Sequence, residues 1–226
     1  MFTCASCTIA ACETGDKEKM PKNCPMRDND FFDHILEEYA KPENHDFFLT
    51  STAIEALGYC QWPRLREVAE FAHRMGYTRL GMGFCMGLHK EAAIVERILR
   101  KQGFQVVSVC CKTGGIPKRE AGFTEETLST PDHHVECTPF QKQLVGEPMC
   151  NPIAQAKLLN QAKTEFNICL GLCVGHDSLF YRYCEAPVTT LVAKDRVTGH
   201  NPVAAIYCAD GYFSGRNSMD GEEQKT

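Results

Sequence analysis

Apolar and polar positions along this chain follow two periods. From Asp30 to Tyr39 the apolar residues Phe31, Ile35, Leu36 and Tyr39 recur at helical spacing on one face. Pro42 stops that helix, and a second is predicted from about Asn44 through Phe48 and Ile54 to Leu57, ended by Gly58. A third opens at Cys60-Gln61-Trp62-Pro63, runs through Leu65, Val68, Ala69, Phe71 and Ala72, and closes at Gly76. The apolar run Thr78–Phe84 then reads as a strand. A helix from about His89 to Lys101 follows, and Phe104–Val109 is the next strand. The same succession returns later. Cys150-Asn151-Pro152 opens a helix through Ala154, Leu158 and Leu159, and the strand Phe166–Leu172 follows. A shorter helix (Leu179, Phe180, Tyr183) leads to the strand Val188–Ala193, and Ala204–Tyr207 reads as one more strand. Proline at the start of both opening helices suits the first helical position, whose N–H has no partner to lose.

Helices alternating with short strands predict an α/β fold in which parallel strands are joined by crossovers. The expected architecture is two related α-β-α-β units forming a mainly parallel sheet, preceded by a small Cys-rich metal-binding segment and two helices. The expected boundaries are 1–27 for the cysteine segment and 28–213 for the duplicated domain, with repeat units at about 60–117 and 150–202, and 214–226 for a flexible tail.

The strand ends carry the chemistry. Gly83-Phe84-Cys85-Met86-Gly87 and Gly171-Leu172-Cys173-Val174-Gly175 repeat Gly-x-Cys-x-Gly, and both units end in Thr-Gly-x-x-Pro, at Thr113 and Thr198. Glycines flanking a cysteine let backbone N–H groups approach a ligand, and the following helix offers its positive end. Ligands of parallel sheets sit beyond the strand carboxyl ends. Cys85, Cys110, Cys111, Cys150 and Cys173 are expected to gather there, with one of Cys110 and Cys111 facing inward. Three or four thiolates at such a mouth suit a second cluster or metal. His176 and Asp177 are candidates for general acid or base, and Lys194, Asp195, Arg196 and His200 for holding an anionic substrate. A plainer reading has Asp177 capping its helix, Arg196 pairing with Asp195, and His200 closing a turn.

Composition sharpens this picture. The 226 residues are 43% hydrophobic and 23% charged, as in ordinary globular proteins. The net charge of −5 comes without a basic patch, which argues against nucleic acid or an anionic membrane as partner. No apolar run approaches the ~20 residues that span a bilayer. Met1-Phe2-Thr3-Cys4 lacks the basic and apolar parts of a signal peptide, so a cytoplasmic location is expected. In that reducing compartment, 14 cysteines point to metal ligation or catalysis and away from disulfides. Cys4, Cys7, Cys12 and Cys24 form a set for an iron–sulfur cluster or zinc: the C-x-x-C pair suits either, and no standard ferredoxin or zinc spacing decides between them. His133, His134 and Cys137 in the polar connector are weaker metal candidates, because adjacent histidines seldom point at one ion.

The cysteine segment ending in Cys24-Pro25, the Gly83-Phe84-Cys85-Met86-Gly87-Leu88 and Cys110-Cys111-Lys112-Thr113-Gly114 stretches, Met149 to Ala156, Gly171 to Asp177 and Lys194-Asp195-Arg196 together resemble the prokaryotic family named domain of unknown function 1847. The resemblance runs from Cys4 to about Tyr207. It implies a metal-binding protein, by the cysteine pattern, and no established activity. The expectation is a cytosolic metal-binding protein, an iron–sulfur redox or sulfur-handling enzyme acting with a small-molecule substrate or redox partner. The alternative is a zinc-stabilised, non-catalytic protein that binds a small molecule or metal.

Overall fold

The structure, a computed structural model, describes residues 1–128 and 138–217. It divides into two compact units, Met1–Gln61 and Trp62–Thr226. In the first, a short helix α1 (Ala11–Thr14) is followed by α2 (Asn29–Ala40) and α3 (Pro42–Gly58). Asp28 starts α2 by accepting the Phe31 N–H at 3.0 Å, and Pro42 occupies the first position of α3. α2 and α3 pack as a hairpin, with the Tyr39 and Phe48 rings 4.6 Å apart. Only Ala11, Ile54 and Gly58 are buried among the described residues of this unit.

The second unit runs α4 (Arg64–Arg74), β1 (Arg79–Phe84), α5 (His89–Lys101), β2 (Gln105–Cys110), α6 (Pro139–Gly146), α7 (Pro152–Gln161), β3 (Phe166–Leu170), α8 (His176–Tyr183), β4 (Val188–Val192) and α9 (Pro202–Tyr207). Its four strands form one all-parallel sheet in the order β2-β1-β3-β4. The chain is thus mixed α/β, as its periodicity predicts, and α4-β1-α5-β2 and α7-β3-α8-β4 follow the same order. β1 and β3 lie side by side at the centre, Leu80 opposite Phe166 and Phe84 opposite Leu170. Leu80, Met82, Ile168 and Leu170 are fully buried. Phe71 of α4 packs on Phe166, its ring 5.2 Å away, which puts α4 on that face of the sheet. α7 and α8 pack against each other over the other face, where Phe180 covers Gly83. At the strand starts, Glu165 Oε2 accepts the N–H groups of Thr78 and Arg79, both at 2.7 Å, so the head of β1 is fixed to the head of β3.

Three expectations change. Ala204–Tyr207 lies in helix α9 rather than a strand: an unbroken apolar run has no period of its own, and Pro202 at the first helical position decides the matter. The connector contains helix α6, opened by a capping box in which Thr138 Oγ1 accepts the Gln141 N–H at 3.3 Å and Gln141 Oε1 accepts that of Thr138 at 2.8 Å. β3 stops at Leu170 because Gly171 turns left-handed, at φ +64°. Asp132 to Cys137, including His133 and His134, lie outside the described residues, as do 218–226 of the expected tail. Among the described residues no helix is long and apolar enough to cross a membrane.

Candidate functional site

Hydrogen bonds between strand ends determine where the sulfurs go. Cys85 follows β1 and donates its N–H to Leu170 O of β3 at 3.1 Å. Cys111, just past β2, donates to Phe84 O at 2.8 Å, and Asn151 donates to Cys111 O at 2.7 Å. Three loops remote in sequence are thereby laced together, and Cys150 is carried to Cys111. Gln155 of α7, completely buried, reinforces the lacing: its Nε2 donates to Phe84 O at 3.1 Å and to Val109 O at 2.7 Å. Asn151 caps α7 by accepting the Ala154 N–H at 3.1 Å, so Cys150 stands beside a helix N-terminus.

The result is a row of three sulfurs. Cys111 lies in hydrogen-bonding reach of both Cys85 and Cys150. Its Sγ also accepts the Met86 N–H at 3.3 Å. Cys85 and Cys111 are buried, and Cys150 is half-buried. The neighbours divide the protons unevenly. The Cys111 thiol, then Lys194 and the Gly87 N–H, hold Cys85 well below the ordinary thiol range. The same thiol, then His176 and Lys112, lowers Cys150 further. Cys111, beside Cys150 and Cys85 and out of water, is pushed far up. Cys150 in turn raises the His176 imidazole. Among the described residues, His176 Nδ1 is buried and has no hydrogen-bond partner.

One loop after β4 supplies the cations. Asp195 Oδ1 accepts the Val197 and Thr198 N–H groups at 2.9 and 3.2 Å. The Asp195 N–H meets His200 Nδ1 at 3.1 Å, and His200 returns its own N–H to Asp195 O at 2.7 Å. Asp195 and His200 therefore close a turn. Lys194 and Arg196, on either side of Asp195, reach the sulfurs. A Cβ placed on Gly87 would sit 3.8 Å from both Cys85 Sγ and Lys194 Nζ, so thiolate and ammonium share one open corner. Arg196 Nη2 donates to Cys173 Sγ at 3.2 Å, and its charge also faces Cys85 and Cys150.

Of the residues expected from sequence, Cys85, Cys111, Cys150, His176 and Lys194 come together, with Cys173 and Arg196 alongside. Cys110 does not join them: its Sγ accepts the Lys112 N–H at 3.4 Å, outside the row. Asp177 Oδ1 accepts the Ser178 N–H of its own helix at 2.7 Å, and His176 is the titratable group beside Cys150. Two residues with no sequence-based role belong to the site, Gln155 and Lys112. A glutamine on the apolar stripe Pro152, Gln155, Ala156, Leu159 was the available signal for the first. Cys4, Cys7 and Cys12 are exposed and Cys24 is half-buried. Among the described residues, no three His, Cys, Asp or Glu side chains surround a single point as an ion would require.

The motifs at these strand ends can be compared with known proteins. The model of the family described as protein of unknown function (DUF1847) matches residues 24–191. The chain belongs to that family. A DUF1847 match of this extent takes in the whole sulfur row and Cys173, and stops before Lys194. Uncharacterized protein MJ0455 of Methanocaldococcus jannaschii is 42% identical over 206 residues, covering 90% of this chain and 93% of its own. No solved structure matches.

Proposed function

We propose that this is a metal-binding protein of the cytoplasm whose strand-end sulfurs hold an iron–sulfur cluster used in redox or sulfur-handling chemistry. The observation that carries this reading is the meeting of Cys85, Cys111 and Cys150 from separate loops, with both outer thiols held low by their neighbours. Thiolate is the form that ligates soft metals. A row favours a cluster over one ion, because zinc needs its donors around a single point while a cluster takes one thiolate per iron. The buried, unpartnered Nδ1 of His176 fits a site whose last partner is not a protein group. Cys85, Cys111 and Cys150 would be the ligands, with Cys173 and Arg196 at the open side. When bound, a cluster supplies electron transfer, or Lewis acidity at an iron without a cysteine.

The chain's own groups do the remaining work. Lys194 and Arg196 offset the thiolate charge and draw a small anionic substrate or redox partner to the mouth. His176, beside Cys150, exchanges a proton there. Gln155 holds the ends of β1 and β2 at a set spacing, and with them Cys85 and Cys111. A separate ion for Cys4, Cys7, Cys12 and Cys24 is supported by the burial pattern: residues 1–27 bury only Ala11, too little apolar surface to order such a segment. That feature also favours the second reading, a zinc-stabilised protein whose strand-end mouth binds without catalysis.

Anaerobic purification followed by iron, sulfide and zinc analysis decides between them. Wild type is expected to be coloured and to contain iron and sulfide. Cys111→Ser should lose both, while Cys4→Ser should lose only the N-terminal metal. Colourless wild type containing zinc alone supports the second reading, and iron retained in Cys111→Ser removes the strand-end centre.

A further inference from the structure

The negative charge of this chain is concentrated on one helical hairpin. Between Asp28 and Gln61 there are eight acidic residues and one basic residue, Lys41, so this segment carries −7 while the whole chain carries −5. All eight carboxylates are exposed, and Lys41 is already held by Glu38 at 2.6 Å. The same hairpin leaves large apolar side chains in water: Phe31 is 53% exposed, Leu36 66%, Tyr39 44% and Phe48 44%. Phe31, Ile35 and Tyr39 recur at four-residue spacing along α2. Ile35, Tyr39, Phe47 and Phe48 line a groove of about 490 Å³ between the two helices, with Glu38 at its edge.

Single exposed apolar residues need no explanation, but a contiguous apolar groove on an acidic hairpin marks an interaction surface. The net charge of the hairpin selects the occupant. A second copy would set −7 against −7, and an anionic membrane or nucleic acid would be repelled in the same way. A helix with one apolar and one basic face satisfies both features, its apolar side chains filling the groove and its lysines or arginines meeting the exposed carboxylates of the hairpin. We propose that the α2–α3 hairpin is the docking surface for a basic amphipathic helix of a protein partner. This surface shares no residue with the sulfur row.

The test uses the full chain and three synthetic peptides of about 18 residues, five helical turns. These are a Leu/Lys peptide patterned as an amphipathic helix, a scrambled peptide of the same composition, and a patterned Leu/Glu peptide. Fluorescence anisotropy gives affinities, and amide chemical-shift mapping gives the site. The patterned Leu/Lys peptide is expected to bind at least about tenfold, or ~1.4 kcal/mol, more tightly than either other peptide, with shifts centred on residues 35–51. Tyr39→Ser with Phe48→Ser, which leaves net charge unchanged, should abolish that preference. Glu38→Gln with Asp46→Asn should weaken binding and flatten its salt dependence. Equal affinity for the patterned and scrambled Leu/Lys peptides would reduce the hairpin to unspecific charge attraction and overturn the proposal. So would shifts confined to residues outside 28–61, or light scattering that shows a dimer dissolved by the double serine variant. Should that variant unfold by circular dichroism, the wild-type comparison of patterned with scrambled peptide still decides.

Discussion

Gly83 carries no side chain because Phe180 occupies the space above it: an added Cβ would lie 2.6 Å from the ring. Its place in the Gly-x-Cys-x-Gly motif suggests approach to a ligand, yet its neighbour is core. Gly87, two residues past Cys85, is the opposite case, with nothing nearer than 3.8 Å. Gly83→Ala is expected to cost about 1–3 kcal/mol in urea denaturation, through overpacking. Gly87→Ala should leave stability within about 0.5 kcal/mol while narrowing the corner shared by Cys85 and Lys194. Equal effects would show that the two glycines are not divided between packing and mouth. Sulfur reactivity belongs to the same scale. Cys150 is held as a thiolate by Cys111 and His176, whereas burial pushes Cys169 up to about 12 and Cys184 up to about 11. In metal-free, reduced protein, iodoacetamide should modify Cys150 nearly as fast at about pH 6 as at about pH 8, because a lowered pKa leaves it ionised across that window. Cys169 and Cys184 should stay unmodified. Cys111→Ala, which removes the largest cause, should restore a steep fall in Cys150 labelling below about pH 8, with a smaller change in His176→Gln, and mass spectrometry of tryptic peptides reads all three sites. A Cys150 rate that climbs tenfold per pH unit in wild type would remove the thiolate assignment.

At the scale of elements, two polar side chains tie β1 to its two neighbours at opposite ends, Glu165 to β3 and Gln155 to β2. Glu165 holds the heads of β1 and β3 through the Thr78 and Arg79 N–H groups, and these bonds lower its carboxyl pKa. A lowered carboxyl contributes stability that is complete above the ordinary value, about 4.3, and is lost as pH falls through the folded-state value. Glu165→Ala should therefore lower the thermal midpoint at neutral pH, and the gap from wild type should close in acid. A gap that persists unchanged below about pH 3 would assign the effect to packing alone. Gln155 does the same for the carboxyl ends. Gln155→Leu would remove one donor from Phe84 O, which keeps the Cys111 N–H, and one from Val109 O, at about 0.5–1.5 kcal/mol for each bond lost. It should also separate Cys85 from Cys111, which a slower dithiol oxidation would report. The elements themselves were legible beforehand. α5 spans His89–Lys101 as its periodicity indicates, and β1, β2, β3 and β4 fall within one or two residues of their expected limits. Two failures have a shared cause. α9 is an apolar run without a period, and α6 is short and polar, with only its cap to announce it.

For the molecule as a whole, the two units differ in what holds them. β1 and β3 are flanked by strands and covered on both faces, so their amides should exchange most slowly in hydrogen-exchange mass spectrometry. Residues 1–27, which bury only Ala11, should gain protection with metal and lose it on chelation, without change in β1 or β3. Sequence alone determined the class of fold, the parallel succession and the set of cysteines worth watching. These depend on local period and on residue chemistry, both of which are present in a linear string. Which sulfurs meet was decided only by tertiary structure. Cys111 joins the row and Cys110 does not, because successive residues at a strand end point to different sides. Asp195 and His200 close a turn while Lys194 and Arg196 reach the sulfurs, because a loop's hydrogen bonds, rather than its composition, aim its side chains.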